Sequence, residues 1–119
     1  MLNVRTEAAG ADTVVHAAGE VDMSSFDALS APIRQALERP GVTGVTVDLA
    51  GVSFLDSNGI RVLVESYRLA SKVGARLVVR NAQEPVDRVL RVTGVADLLG
   101  LPPVPPGRGG GYGRGSSGP

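Results

Sequence analysis

The chain contains no cysteine and no tryptophan, and among its 119 residues only one histidine, two phenylalanines and two tyrosines. Without cysteine there is no disulfide framework, no thiol nucleophile and no thiolate metal site. A reducing compartment is therefore permitted. One histidine and scattered acids do not make a metal constellation, so no metal and no cofactor are expected. So few aromatic rings cannot build a stacking platform for bases or sugars. No run of about 18 apolar residues occurs, and no basic segment leads into an apolar stretch at the N-terminus. The expectation is a cytoplasmic protein with no membrane partner. An excess of either charge is also missing: 12 basic residues balance 12 acidic ones. Two of the arginines, Arg108 and Arg114, lie close to the C-terminus, which leaves 10 basic and 12 acidic residues in 1–101, a net of −2. That sign is wrong for a phosphate-backbone binder, and no nucleic-acid partner is expected.

What is present is enough apolar material for one modest core, 43% of the residues, in a length that suits a single domain. The composition changes at residue 102. Residues 102–119 hold seven glycines and five prolines, with Val104 and Tyr112 the only larger apolar groups. Such a segment buries too little surface to offset the entropy of ordering it. The domain is placed at 1–101 and a disordered Gly/Pro-rich tail at 102–119.

Along the domain, Leu2–Thr6 and Thr13–Gly19 read as strands joined through the Ala9–Asp12 turn. Gly19–Asp22 then leaves the strand. Ser24 or Ser25 caps a helix whose apolar face is Phe26, Leu29, Ile33 and Leu37, with Pro32 inside it and Pro40-Gly41 at its end. Val45, Val47 and Leu49 alternate with polar residues as in a strand, and the short apolar stretch Val52–Leu55 follows. A second helical face comprises Ile60, Leu63, Val64, Tyr67 and Ala70, and Gly74 is a stop signal. Leu77–Val79 is a strand, Pro85 begins a third helix with Val86, Val89 and Leu90 inward, and Val95–Leu101 is a last short element. The order β-β-α-β-α-β-α predicts an α/β fold with a mixed sheet, an opening hairpin, helices packed on it, and the last two strands parallel through a right-handed crossover.

Ser57 stands where an apolar stretch meets an amphipathic helix. Asp, Ser and Asn are the favoured capping residues, so Asp56-Ser57-Asn58 reads first as a helix start. Gly59 adds a second consideration. Glycine is unfavourable in a first helical turn unless something approaches the backbone closely, and free N–H groups at the positive end of a helix favour an anion. A phosphate on Ser57 would occupy that place. A serine nucleophile would need a nearby base, and the single histidine, His16, sits in an early strand where a structural role is expected. The glycines of 41–51 are not followed by Lys-Ser/Thr, so there is no phosphate-binding loop and any ATP must arrive with a partner. The chain is not expected to be an enzyme.

The run from Val47-Asp48-Leu49 through Phe54-Leu55-Asp56-Ser57-Asn58-Gly59-Ile60 resembles the signature of the STAS domain of bacterial anti-sigma factor antagonists. The Gly19-Glu20-Val21-Asp22 and Val92-Thr93-Gly94-Val95 segments fit the same pattern, and the resemblance spans about residues 1–101. It implies a STAS-like domain whose Ser57 is phosphorylated by an anti-sigma factor serine kinase, which supplies the ATP, and dephosphorylated by a phosphatase. On this resemblance Asp22, Asp56, Ser57, Asn58, Gly59 and Arg61 form the partner-binding surface, with Asp56 orienting the serine hydroxyl. It implies that the unphosphorylated chain binds the kinase and releases a sigma factor. The alternatives are a STAS scaffold that is never phosphorylated and a soluble accessory subunit of a transport complex. Two positions depart from the pattern: Asn58 replaces a second hydroxyl residue, and Arg61 replaces a small residue. Arg61 lies four residues after Ser57, on the same helix face, within reach of a phosphate there.

Overall fold

The computed structural model describes residues 1–103. Most of the expected tail, residues 104–119, lies outside them. Of its described part, Pro102 is tied to the domain, because its carbonyl accepts a hydrogen bond from Arg91 Nη2 at 2.7 Å.

The elements follow the expected order. They are β1 (Leu2–Ala9), β2 (Asp12–Val21), a single 3₁₀ turn (Met23–Ser25), α1 (Phe26–Leu37), β3 (Gly44–Leu55), α2 (Ser57–Val73), β4 (Arg76–Arg80) and α3 (Glu84–Val92). They make one four-stranded sheet in the order β1-β2-β3-β4. The β1–β2 pair is the antiparallel opening hairpin, and β2–β3 and β3–β4 are parallel. The parallel pairs exist because α1 and α2 carry the chain back between strands. The core lies between the sheet and the helices, where Val15, Val21, Val47, Leu49, Ile33, Leu63 and Leu90 are sealed from solvent. The outer edge of β4 is not left open. Val79 N–H donates to Leu99 O at 2.8 Å, so the Val95–Leu101 segment covers it, with Leu99 and Leu101 buried.

Three sequence expectations need correction. First, β2 does not end at Gly19. Gly19 adopts φ +119°, and a Cβ there would stand 2.1 Å from the Met1 carbonyl oxygen. Glycine therefore carries the strand through an irregularity, after which Glu20 and Val21 resume pairing and Val21 reaches the core. Second, Val45–Leu49 and Val52–Leu55 belong to one twelve-residue strand. Between His16 and Ala18 on β2, β3 advances from Asp48 to Gly51; between Gly19 and Glu20 it advances from Val52 to Phe54. Each step inserts one extra residue on β3, a β-bulge that shifts the in–out alternation by one. Leu49, Val52 and Leu55 consequently all face inward at a spacing of three, while Ala50-Gly51 and Ser53-Phe54 are exposed. The freed backbone groups of Ala50 are satisfied: its N–H by Asp48 Oδ1 at 2.9 Å, and its carbonyl by Gln83 Nε2 at 2.7 Å. Third, the buried stripe of α2 runs through Gly59, Val62, Leu63, Ser66 and Ala70, with Ile60, Val64 and Tyr67 half-buried beside it. Small Gly59 and Ser66 let the helix approach closely, which turns the face from the one the large apolar residues suggest.

The hairpin is longer than expected, with β1 running past Thr6 to Ala9 and β2 starting at Asp12, while the helix ends fall at or near the expected stop signals. α1 runs through Pro32 to Leu37, Gly74 closes α2 in the left-handed region at φ 78°, and Gly94 follows α3 at φ 83°. Among the described residues no helix is long and apolar enough to cross a membrane.

Candidate functional site

The parallel strands β2 and β3 end side by side. Val21 pairs with Leu55, and Asp56 N–H donates to Val21 O at 3.2 Å. An aspartate follows each strand and caps the helical turn that leaves the sheet: Asp22 before the 3₁₀ turn, Asp56 before α2. The carboxyl ends of parallel strands are where open α/β sheets place their binding surfaces. Five of the six predicted residues, Asp22, Asp56, Ser57, Asn58 and Gly59, converge on these two junctions. The sixth, Arg61, stands one turn further along α2.

At the second junction the cap is Asp56. Its Oδ1 accepts from the N–H groups of Asn58 at 2.9 Å and Gly59 at 3.3 Å, and its Oδ2 faces Asn58 Nδ2 at 3.4 Å. Such a cap stabilises a helix by about 1 kcal/mol. The expected contact in which Asp56 orients the serine hydroxyl is not formed, because both carboxylate oxygens are turned to the residues that follow Ser57. Ser57 is the first residue of α2, exposed, and its hydroxyl takes no part in the cap. The expectation of free backbone donors for an anion is narrowed by the same bonds, since Asp56 already satisfies Asn58 and Gly59.

Gly59 has a different role from the one read in the sequence. It is buried, and a Cβ there would stand 2.6 Å from Leu55 Cγ and 2.9 Å from Val21 Cγ1. The close approach that requires glycine is that of the helix start onto the ends of β2 and β3. Gly59 thus welds the two junctions together and is not itself part of an exposed surface.

At the first junction the serines are consumed. Asp22 Oδ1 accepts from Ser24 N at 2.9 Å and from Ser24 Oγ at 2.6 Å, and the Ser25 Oγ lies 3.3 Å from it. Ser25 is buried; its hydroxyl donates to Glu20 O at 3.0 Å and accepts from Asp22 N–H at 2.9 Å. The Ser24 hydroxyl is the chief cause that holds the Asp22 carboxyl below the usual carboxylate range. Burial opposes it, and the Ser24 and Ser25 N–H groups and the Ser25 hydroxyl add to it. The residue that caps the first helix is therefore Asp22 acting through the 3₁₀ turn. Ser25 occupies the position before α1 without a side-chain cap bond.

Arg61 is engaged. Its Nε donates to Glu65 Oε2 at 3.0 Å in an i,i+4 pair, and its guanidinium lies 5.4 Å from the centroid of the Phe26 ring, the first residue of α1. The ion pair is exposed and worth about 0.3–0.5 kcal/mol; the contact with the half-buried Phe26 ring is worth about 0.5–1 kcal/mol.

Two exposed apolar side chains beside the site escaped the sequence reading: Met23, 77% exposed, directly after Asp22, and Phe54, 50% exposed, two residues before Asp56. Phe54 points outward because of the bulge at Ser53. Its signal was the break in alternation between Val52 and Leu55, which is legible only once β3 is known to be continuous.

His16 lies in β2, five residues before the strand end and so about 16 Å along it. It is held by Asp48 Oδ2 at 3.1 Å and Glu7 Oε1 at 2.9 Å. Burial raises the Asp48 carboxyl pKa, but the Ala50 N–H, the Asn81 amide and His16 outweigh it and hold the group below its usual value. An open concavity of 590 Å³ over Asn3, Arg5, His16, Asp48 and Gly51 occupies this part of the sheet and contains none of the predicted site residues.

A family model described as "Mlab, STAS domain" matches residues 4–101. The anti-sigma-B factor antagonist of Bacillus subtilis (strain 168) is 28% identical over 100 residues, which cover 84% of this chain and 90% of that protein. Among solved structures, the anti-sigma factor antagonist SpoIIAA in its unphosphorylated form superposes with a TM-score of 0.73 at 20% identity, covering 98% of this chain and all of that one. The phosphorylated form of SpoIIAA, a Bacillus cell fate determinant, gives 0.66 at 19% identity, covering 90% and 96%. At these identities the two structures establish a shared fold.

Proposed function

The chain belongs to the STAS domain family, and on that premise we propose that it is a cytoplasmic, non-enzymatic anti-sigma factor antagonist switched by phosphorylation of Ser57. Unmodified, the surface formed by Asp22, Met23, Phe54, Asp56, Ser57, Asn58 and Arg61 binds an anti-sigma factor serine kinase, which lets go of its sigma factor. The kinase brings the ATP. The Ser57 oxygen bonds the γ-phosphorus, the bond from that phosphorus to the bridging oxygen of ADP breaks, and the hydroxyl proton leaves to a base of the kinase. A phosphatase hydrolyses the ester and resets the chain.

The observation that carries this reading is the division of labour at α2. Asp56 does the capping, so the Ser57 hydroxyl stays exposed and uncommitted at the meeting of two strand ends. A phosphate adds about −1.5 to −2 charge beside Asp22 and Asp56. It also intrudes on a contact flanked by the apolar Met23 and Phe54 side chains. A loss of about 3 kcal/mol there weakens binding more than 100-fold, enough for a switch. The sequence similarity to the Bacillus subtilis antagonist supports the partner class.

The test is incubation of the chain with its cognate kinase and ATP, followed by peptide mass spectrometry and a binding measurement. One phosphate on Ser57, with loss of kinase binding, is the expected result. Modification of Ser53 or Ser66 instead, or unchanged binding after modification, overturns the reading.

A further inference from the structure

We propose that Arg61 is the phosphate sensor of this site: when Ser57 is phosphorylated, the guanidinium leaves the Phe26 ring and Glu65 and grips the phosphate, uncovering the first residue of α1. This rests on the reading of Ser57 as the phosphorylated residue and adds what would hold the phosphate and what would move in response.

The helix start has little left to offer an anion. Asp56 takes the N–H groups of Asn58 and Gly59, and the Ile60 N–H is bonded to the Asp56 carbonyl at 3.1 Å. The charges at the two junctions are of the wrong sign, with Asp22 and Asp56 capping them and Asp27 in the first turn of α1. The first basic residue of α1, Arg34, lies in its last turn. On α2 Arg61 stands four residues after Ser57 and therefore on the same face, one turn away.

Arg61 is also free to exchange partners. Its side chain is 65% exposed and that of its partner Glu65 is 50% exposed. Its ring contact, at 5.4 Å from the centroid, is with a half-buried side chain. A phosphoserine presents a dianion whose oxygens accept two parallel bonds from a guanidinium, which a single carboxylate oxygen and a ring face do not match. Phe26 follows the Asp22–Ser25 turn directly. The exchange would therefore carry the state of the second junction to the first, across the α1–α2 seam.

The experiment uses the full chain with phosphoserine installed at position 57 during synthesis by genetic-code expansion. It compares the native chain with Arg61→Gln and Arg61→Lys. Phosphorus NMR reads the second ionisation of the phosphate, ordinarily near pH 6, and proton NMR reads the Phe26 ring. The expected result is a second ionisation lower by about half a unit or more with Arg61 than with Gln, with Lys between them. The Phe26 ring signals should shift on phosphorylation only when Arg61 is present. An ionisation that is the same in all three chains, or ring signals that do not move, overturns the proposal. No kinase is present and the phosphate is built in, so these signals are read whether or not a kinase modifies Ser57. Failure of the exchange and failure of the proposed function are thus separate results.

Discussion

The two strand ends that meet at this site are built alike and finished differently. Each parallel strand stops at an aspartate, and each aspartate caps the helical turn that follows. After β2 the neighbouring hydroxyls are spent: Ser24 is bonded to Asp22, and Ser25 is buried against Glu20 and Asp22. After β3 the aspartate side chain bonds to Asn58 and Gly59, and Ser57 is left out. A hydroxyl that closes a turn is structural. A hydroxyl that a better acceptor has relieved of that task is available to a partner. One residue of spacing makes the difference, because Ser57 immediately follows its aspartate, whereas Ser24 and Ser25 stand two and three residues on, where a side chain can fold back.

The largest expected effect tests the exposed member of that pair. Ser57→Asp should weaken kinase binding by more than 100-fold, about 3 kcal/mol, while Ser57→Ala binds like the unmodified chain; calorimetric titration of both decides it. Both should remain folded, since Asp56 retains the cap and a negative charge suits a helix start. Equal affinities would erase the distinction between the two turns. Next is the weld between them. Gly59→Ala should destabilise the fold by about 1–3 kcal/mol through overpacking against Leu55 and Val21. Alanine at an unconstrained helical position would instead gain up to about 1 kcal/mol, so the sign of the change in urea midpoint is the test.

A smaller effect concerns the caps. Asp56→Ala should lower stability by about 1 kcal/mol, and Ser57→Ala should change the same urea midpoint hardly at all; matching losses would mean that Ser57 helps to close the turn. The smallest effect is a titration. The folded-state pKa of Asp22 lies below its unfolded value. Its contribution to stability is therefore present above the ordinary aspartate value of about 3.9 and fades as pH falls through the lower folded value. Ser24→Ala removes the leading cause, so carbon NMR of the Asp22 carboxyl should show its midpoint rising toward the ordinary value. An unmoved midpoint would mean that the Ser24 hydroxyl does not hold the turn.

Much of this site was legible in the sequence because its signals are local. Asp56-Ser57-Asn58 before an amphipathic run marks a helix start. Which of the three residues caps, and which is released, was not legible, since Asp, Ser and Asn are nearly equal as caps and geometry alone chooses among them. Gly59 was misread for a related reason. A glycine in a first helical turn announces a close approach, and the sequence does not say whether a ligand or the protein itself is approaching. Met23 and Phe54 were passed over because exposure depends on register, and the register of β3 is set by two bulges.

The sequence by itself determined the order of elements, the parallel pairing that a β-α-β order imposes, and the serine at the head of α2. These follow from hydrophobic period, turn chemistry and capping preference, all of which act within a few residues. The tertiary structure alone decided that β3 is one strand, because Leu49, Val52 and Leu55 share a face only when paired with the β2 backbone through two inserted residues. It likewise decided that Val21 and Gly59 touch, which sets the two aspartate turns side by side. It placed Arg61 on Phe26, a residue 35 positions earlier in the chain. Each of these depends on which atoms meet across the core, and residues far apart in sequence carry no record of that in local pattern.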